Sequence, residues 1–133
     1  MKPINTKTHG YLDYFVGLLL IAAPWLLGFA RNGAETWVPV ILGIGTIVYS
    51  LITDYELGAA RMISMRTHLA LDFVAGLFLA SSPWIFNFDK YIWQPHVIVG
   101  VAEMLIVLLT KTQPSTETSR DHSQRGHRTA AGQ

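Results

Sequence analysis

The sequence predicts an all-α polytopic membrane protein, four transmembrane helices arranged as two parallel helical-hairpin repeats. Three observations carry that prediction. Half of the 133 residues are hydrophobic and only 14% are charged, well under the roughly 25% of an ordinary soluble domain. Four long apolar runs follow one another with short connections. The chain also repeats itself: THGYLDYFVGLLLIAAPWLLGF, from Thr8 to Phe29, returns as THLALDFVAGLFLASSPWIFNF, from Thr67 to Phe88.

The apolar runs fall at about 10–30, 37–53, 69–88 and 91–110. A hydrocarbon core of about 30 Å needs roughly 20 helical residues, within a usable range of about 17–25. All four runs satisfy it. A soluble four-helix bundle would need polar faces at 3.6-residue spacing, and these runs are apolar nearly all round. A basic start followed by an apolar run also fits a cleaved signal, yet the same segment recurs in mid-chain, where no signal peptide acts.

Beyond the first copy the repeat shifts register: Trp37-Val-Pro39 aligns with Trp93-Gln-Pro95 at a spacing of 56 rather than 59, so the first inter-helix loop is expected to be three residues longer. The chain divides into an N-terminus (1–7), a first hairpin (8–58), a connecting loop (59–66), a second hairpin (67–110) and a tail (111–133). Each hairpin crosses the membrane an even number of times, so the copies are parallel and their symmetry axis is expected along the membrane normal. One side holds Lys2, Lys7, Arg61, Arg66, Lys111, Arg120, Arg125 and Arg128, and the other only Arg31 and Lys90. The positive-inside rule places both termini in the cytoplasm of a multi-pass protein of the cell membrane. A brief interfacial helix is expected around 59–65. The tail has no large apolar residue and is expected to be disordered; His122 and His127 within it are too far apart to read as a metal site.

Proline within a helix removes one backbone donor and frees the carbonyl four residues back, Leu20 for Pro24 and Leu79 for Pro83. In lipid the freed group must be answered locally, and Ala22-Ala23 and Ser81-Ser82 stand just ahead. Pro24 lies about fifteen residues, or roughly 22 Å, into its run, which puts the expected kink near the outer interface. Trp25, Trp84, Trp37 and Trp93 then sit at headgroup depth, where indole is favoured.

Ser82-Pro83-Trp84, within a chain of two helical hairpins, resembles the SPW-repeat family of small, mostly prokaryotic integral membrane proteins. The first copy departs from the motif as Ala23-Pro24-Trp25. The resemblance covers residues 8–110 and implies architecture and membrane location, with no catalytic mechanism, cofactor or substrate attached.

The remaining polar residues are few. Thr8, His9 and Asp13 recur as Thr67, His68 and Asp72. Each Thr is placed to cap its helix. Each His and Asp, four apart, share a face and can pair, with the Asp favoured by the helix dipole. Facing a pseudo-two-fold axis, the two pairs are alternatively a divalent-metal or proton-exchange site of mixed ligands. The repetition favours a role in the fold, and no metal or cofactor is assigned. Glu103 has no acidic counterpart, since Ile47 stands 56 residues earlier. A charge at mid-helix depth costs roughly 2.5–3.5 kcal/mol on insertion scales, so Glu103 should face the bundle, either as a protonated hydrogen-bond donor or as one step, with His96, of a proton or cation path. Two stripes are expected to pack inward: His96, Gly100, Glu103, Val107 and Thr110, and Pro39, Gly43, Thr46, Ser50 and Thr53.

No phosphate loop, nucleophile elbow, zinc helix or dinucleotide fingerprint occurs, and with no cysteine there is no thiol chemistry. The scattered tail arginines suit topology and anionic lipid better than nucleic acid. The function expected is that of a non-enzymatic module embedded in the lipid bilayer, packing as a homo-oligomer or against a larger membrane partner. The alternative is a proton or cation conductor centred on Glu103, with a membrane enzyme using the His-Asp pairs a distant third.

Overall fold

The computed structural model describes residues 2–114; the tail beyond, read above as disordered, lies outside them. Four helices run in order: α1 (Thr6–Leu26), α2 (Ala34–Leu51), α3 (Met65–Ile85) and α4 (Gln94–Leu109). The described residues form no strand beyond two isolated bridges. α2 and α3 are long and apolar enough to cross a membrane, and α4 is a shorter apolar helix. Large apolar side chains cover the exterior, among them Phe15, Leu18, Ile41, Val48, Val74, Ile98 and Leu105. A surface of that kind and extent matches hydrocarbon rather than water.

The first and third helices occupy equivalent spans, offset by 59 residues at both ends. Both begin about four residues before the expected segments, because the turn carrying His9 and Asp13, or His68 and Asp72, is itself helical and buried. The Thr capping expectation is corrected. Asn5 and Ser64 are the N-caps, and each accepts the backbone N–H of Thr8 or Thr67. The two threonines are therefore third-position residues with exposed side chains. No interfacial helix forms at 59–65. That segment is extended near Ile63, which pairs with the end of α2, and α3 starts at Met65.

The proline position is also refined. α1 and α3 each run on only two residues past the proline, so Pro24 and Pro83 sit in the last turn and stop the helix rather than bend it. The carbonyl of Pro24 accepts the N–H groups of Phe29 (2.9 Å) and Ala30 (2.9 Å), and that of Pro83 those of Phe88 (2.8 Å) and Asp89 (3.0 Å). Gly28 and Asn87 take the left-handed conformation at φ 72° and 57°, as a Schellman stop requires of the residue after the cap. Phe29 and Phe88 then turn inward and are buried. Proline, left-handed residue and phenylalanine together form one helix-stop unit, used twice. The expected longer first loop is not found: the three extra residues, Ala34-Glu35-Thr36, open α2 with an additional turn.

Both hairpins are closed by backbone-to-backbone approach of glycines, Gly17 against Gly43 and Gly76 against Gly100. A Cβ on Gly43 would lie 2.5 Å from the Gly17 carbonyl oxygen, and one on Gly100 would lie 2.5 Å from that of Gly76. Both polar stripes face inward as expected, with Pro39, Gly43, Thr46 and Ser50 buried on α2 and Thr53 buried just beyond it, and with His96, Gly100 and Glu103 buried on α4, Val107 half-buried and Thr110 buried as the C-cap. The hairpins join in a ring. Ile63 pairs with Thr53 where the central loop enters α3, and Ile4 pairs with Thr110 in the equivalent way, stitching the N-terminal segment to the end of α4. The N–H of Asp54 reaches the Ile63 carbonyl at 2.8 Å, and that of Lys111 reaches the Ile4 carbonyl at 2.8 Å.

Replacing Gly100 by alanine should lower stability by about 1–3 kcal/mol through overpacking. The same change at Gly45, which meets nothing within 4 Å, should be neutral or slightly stabilising. Unfolding of the two variants in detergent, followed by circular dichroism, checks the contrast.

Candidate functional site

The repeated polar turns meet at the end of the bundle that holds both described chain ends. His9 and Asp13 lie one helical turn apart on α1, and His68 and Asp72 do so on α3, all at 0–2% exposure. They form a closed ring in which the shorter contacts run between repeats. His9 Nε2 lies 2.8 Å from Asp72 Oδ2 and 3.2 Å from Asp13 Oδ1. His68 Nε2 lies 2.6 Å from Asp13 Oδ2 and 3.1 Å from Asp72 Oδ2. Pairing within one helix is thus the longer arm of an exchange between the two repeats.

The other nitrogen of each ring is also held. His9 Nδ1 lies 2.8 Å from Thr110 Oγ1, and His68 Nδ1 lies 2.8 Å from Thr53 Oγ1. Each threonine hydroxyl spends its own hydrogen on a carbonyl one turn back, Ile106 at 2.6 Å and Tyr49 at 2.5 Å. It must therefore accept from the imidazole, which fixes a hydrogen on Nδ1. Nε2 then faces two carboxylates, and a second hydrogen there lets the ring donate to them. Two imidazolium ions and two carboxylates give a neutral quartet, the condition under which charges persist in an apolar interior.

The two halves differ in what surrounds the carboxylates. The Tyr49 hydroxyl donates to Asp72 Oδ1 and contacts Thr46 at 3.2 Å. Measured by the glycine contacts and the histidine-bound threonines, α2 and α4 correspond at a spacing of 57 rather than 56. Gly43 then matches Gly100 and Thr53 matches Thr110, while Ile106 stands where Tyr49 does and Glu103 where Thr46 does. The counterpart of Glu103 is therefore Thr46, not Ile47. Asp13 Oδ1 lacks a tyrosine and is buried without a hydrogen bond. Glu103 is 8% exposed and lines a cavity of about 10 Å³ with Thr46, Tyr49, Asp72 and Leu79. That is near the minimum for one water molecule.

His96 lies at the opposite end, apart from Glu103. Its Nε2 donates to the Glu35 carbonyl at 2.9 Å, and its ring is flanked by Phe29 and Phe88 at 5.3 and 4.9 Å between centroids. It lines an apolar cavity of about 60 Å³ with Leu20, Ala23, Phe29 and Leu79. Leu20 and Leu79 border both cavities and so stand between His96 and Glu103.

At that same end the serine of Ser82-Pro83-Trp84 finds its purpose. Its hydroxyl donates at 2.7 Å to the carbonyl of Leu79, the group that Pro83 leaves without a helical partner. Ala23 supplies nothing of the kind to Leu20. Trp25, Trp84, Trp37 and Trp93 are all exposed at this end, as an interfacial belt requires.

Sequence reasoning placed the four quartet residues on one axis but missed Tyr49 and the imidazole-binding role of Thr53 and Thr110. The available signal was spacing: Tyr49 lies one turn before Thr53, on the face of α2 that the polar stripe defines. Replacing His68 by alanine, which leaves two buried carboxylates to share the single imidazolium of His9, should cost about 3–5 kcal/mol. Ser82→Ala removes a single hydrogen bond and should cost about 1 kcal/mol. Denaturant titration of the two variants in micelles gives the comparison.

A family model, the SPW repeat domain, matches residues 7–110. No curated protein and no solved structure matches the chain.

Proposed function

From the premise that this chain belongs to the SPW-repeat family, we propose that it is a non-enzymatic membrane module acting through helix packing, with a second copy of itself or with a larger membrane partner. One observation carries the reading: the side chains able to do chemistry are sealed inside the bundle and engaged with one another. His9, Asp13, His68 and Asp72 are at most 2% exposed, and a roomier recess at the opposite end of the bundle is lined by the loop residues Arg31 and Asn32 and by Glu35 in the first turn of α2. A substrate would have no approach to them. The Lys and Arg bias supports a multi-pass arrangement in the cell membrane with both termini cytoplasmic, and the apolar exterior supports lipid as the immediate surroundings.

A second reading, a proton or cation conductor centred on Glu103, is favoured by a different observation. Glu103 makes no hydrogen bond among the described residues and shares a cavity with Asp72 and Tyr49. The packing of Leu20 and Leu79 between Glu103 and His96 weighs against it, because an apolar plug interrupts a polar relay.

Flux in liposomes, driven by pH or cation gradients, separates the two. The expected result is no flux above empty liposomes from the wild type at several protein densities. Flux from the wild type that vanishes in a folded Glu103→Gln variant would overturn the module reading in favour of the conductor.

A further inference from the structure

We propose that the His9, Asp13, His68 and Asp72 quartet is a binding site for one divalent transition-metal ion, held tetrahedrally by two imidazole Nε2 atoms and one oxygen of each carboxylate. Geometry carries the argument. One ligand atom from each residue can be chosen so that all four lie within 4.8 Å of one another. With Oδ2 taken from each carboxylate, three imidazole-to-carboxylate edges measure 2.6, 2.8 and 3.1 Å; the remaining contact, His9 Nε2 to Asp13 at 3.2 Å, uses the other oxygen, Oδ1. Metal–ligand bonds of about 2.0–2.2 Å in a tetrahedron require edges of about 3.3–3.6 Å, so these three contacts lengthen by up to about 1 Å and the other edges, at most 4.8 Å, settle to the same length. Both Nε2 atoms already point inward, since Thr53 and Thr110 hold each Nδ1. A hydrogen-bonded second nitrogen is the feature that orients metal-ligating histidines.

Charge balance and coordinating capacity agree. Two imidazolium ions and two carboxylates sum to zero, and so do one divalent cation, two neutral imidazoles and two carboxylates. Binding one ion therefore displaces the two Nε2 protons and leaves the apolar interior neutral. Asp13 Oδ1 is buried, makes no hydrogen bond and has only the 3.2 Å contact with His9 Nε2, so it is the least satisfied oxygen of the quartet. Two nitrogens and two oxygens suit zinc and cobalt(II). Calcium and magnesium need six or more oxygen ligands, and the quartet cannot supply them. The site lies across the boundary between repeats, so the ion would crosslink α1 to α3.

The test uses the full chain in detergent, with His122 and His127 replaced by alanine to remove tail ligands. The protein is stripped with chelator, refolded in the presence of cobalt(II) alone, and freed of excess metal. The expected result is an intense tetrahedral cobalt spectrum saturating at one ion per chain and displaced by zinc. About two protons should be released per ion in weakly buffered solution. Asp72→Asn should abolish the spectrum and Glu103→Gln should retain it. Folded wild type showing no tetrahedral bands, or only the weak bands of octahedral cobalt, overturns the proposal. So do bands that persist in folded Asp72→Asn. Should that variant not fold, the wild-type stoichiometry and proton count decide: one ion with two protons supports the site, and any other ratio sinks it.

Discussion

The bundle is organised by the need to neutralise charge where water is absent. A lone carboxylate or imidazolium in an apolar interior is costly, and even an ion pair is only as good as its geometry and remaining hydrogen bonds. Here two of each meet in a ring, and Thr53 and Thr110 satisfy the outward nitrogens. Because the shorter contacts run from α1 to α3, each helix depends on the other for the nearer partner of its polar turn. The helix starts, the loop that leads into α3 and the N-terminal segment that pairs with α4 all serve to bring those two turns together.

The opposite end solves a different problem. There the chain must stop two helices abruptly and return two more, with indole rings at the rim. The prolines do this by lying in the last turn, where their missing donors cost one bond each and their own carbonyls collect two N–H groups from the returning loop. Ser82 answers the carbonyl that Pro83 frees. Between the two ends, glycine contacts set the distance within each hairpin and Leu20 and Leu79 fill the axis.

Much of this was legible in the sequence. The repeat of Thr8–Phe29 in Thr67–Phe88 announced the parallel hairpins, and the small and polar stripes on α2 and α4 announced their inward faces. The capping residues were misread because Asn5 and Ser64 lie outside the matching letters, although they do the same job. The counterpart of Glu103 was misread because Trp37-Val-Pro39 and Trp93-Gln-Pro95 align at 56 while the packed bodies of those helices correspond at 57. A helix can enter at one register and pack at another, and only contacts such as Gly43 on Gly17 show which applies. The cross-repeat exchange of His and Asp was invisible for a related reason. Four-residue spacing advertises a local partner, whereas the nearer partner lies 55 or 63 residues away.

The exchange also bears on what a single hairpin can be. One repeat supplies an imidazole, a carboxylate and a threonine, yet each imidazole has its nearer carboxylate in the other repeat. His9 also takes Thr110, and His68 takes Thr53, from the hairpin that its own helix does not belong to. An isolated hairpin would enter the membrane with its polar turn unmatched, and a second identical hairpin is the partner that matches it. The architecture is that of a two-fold dimer whose halves have been joined by one connecting loop. The halves are not identical, and Tyr49 and Thr46 in one stand where Ile106 and Glu103 stand in the other.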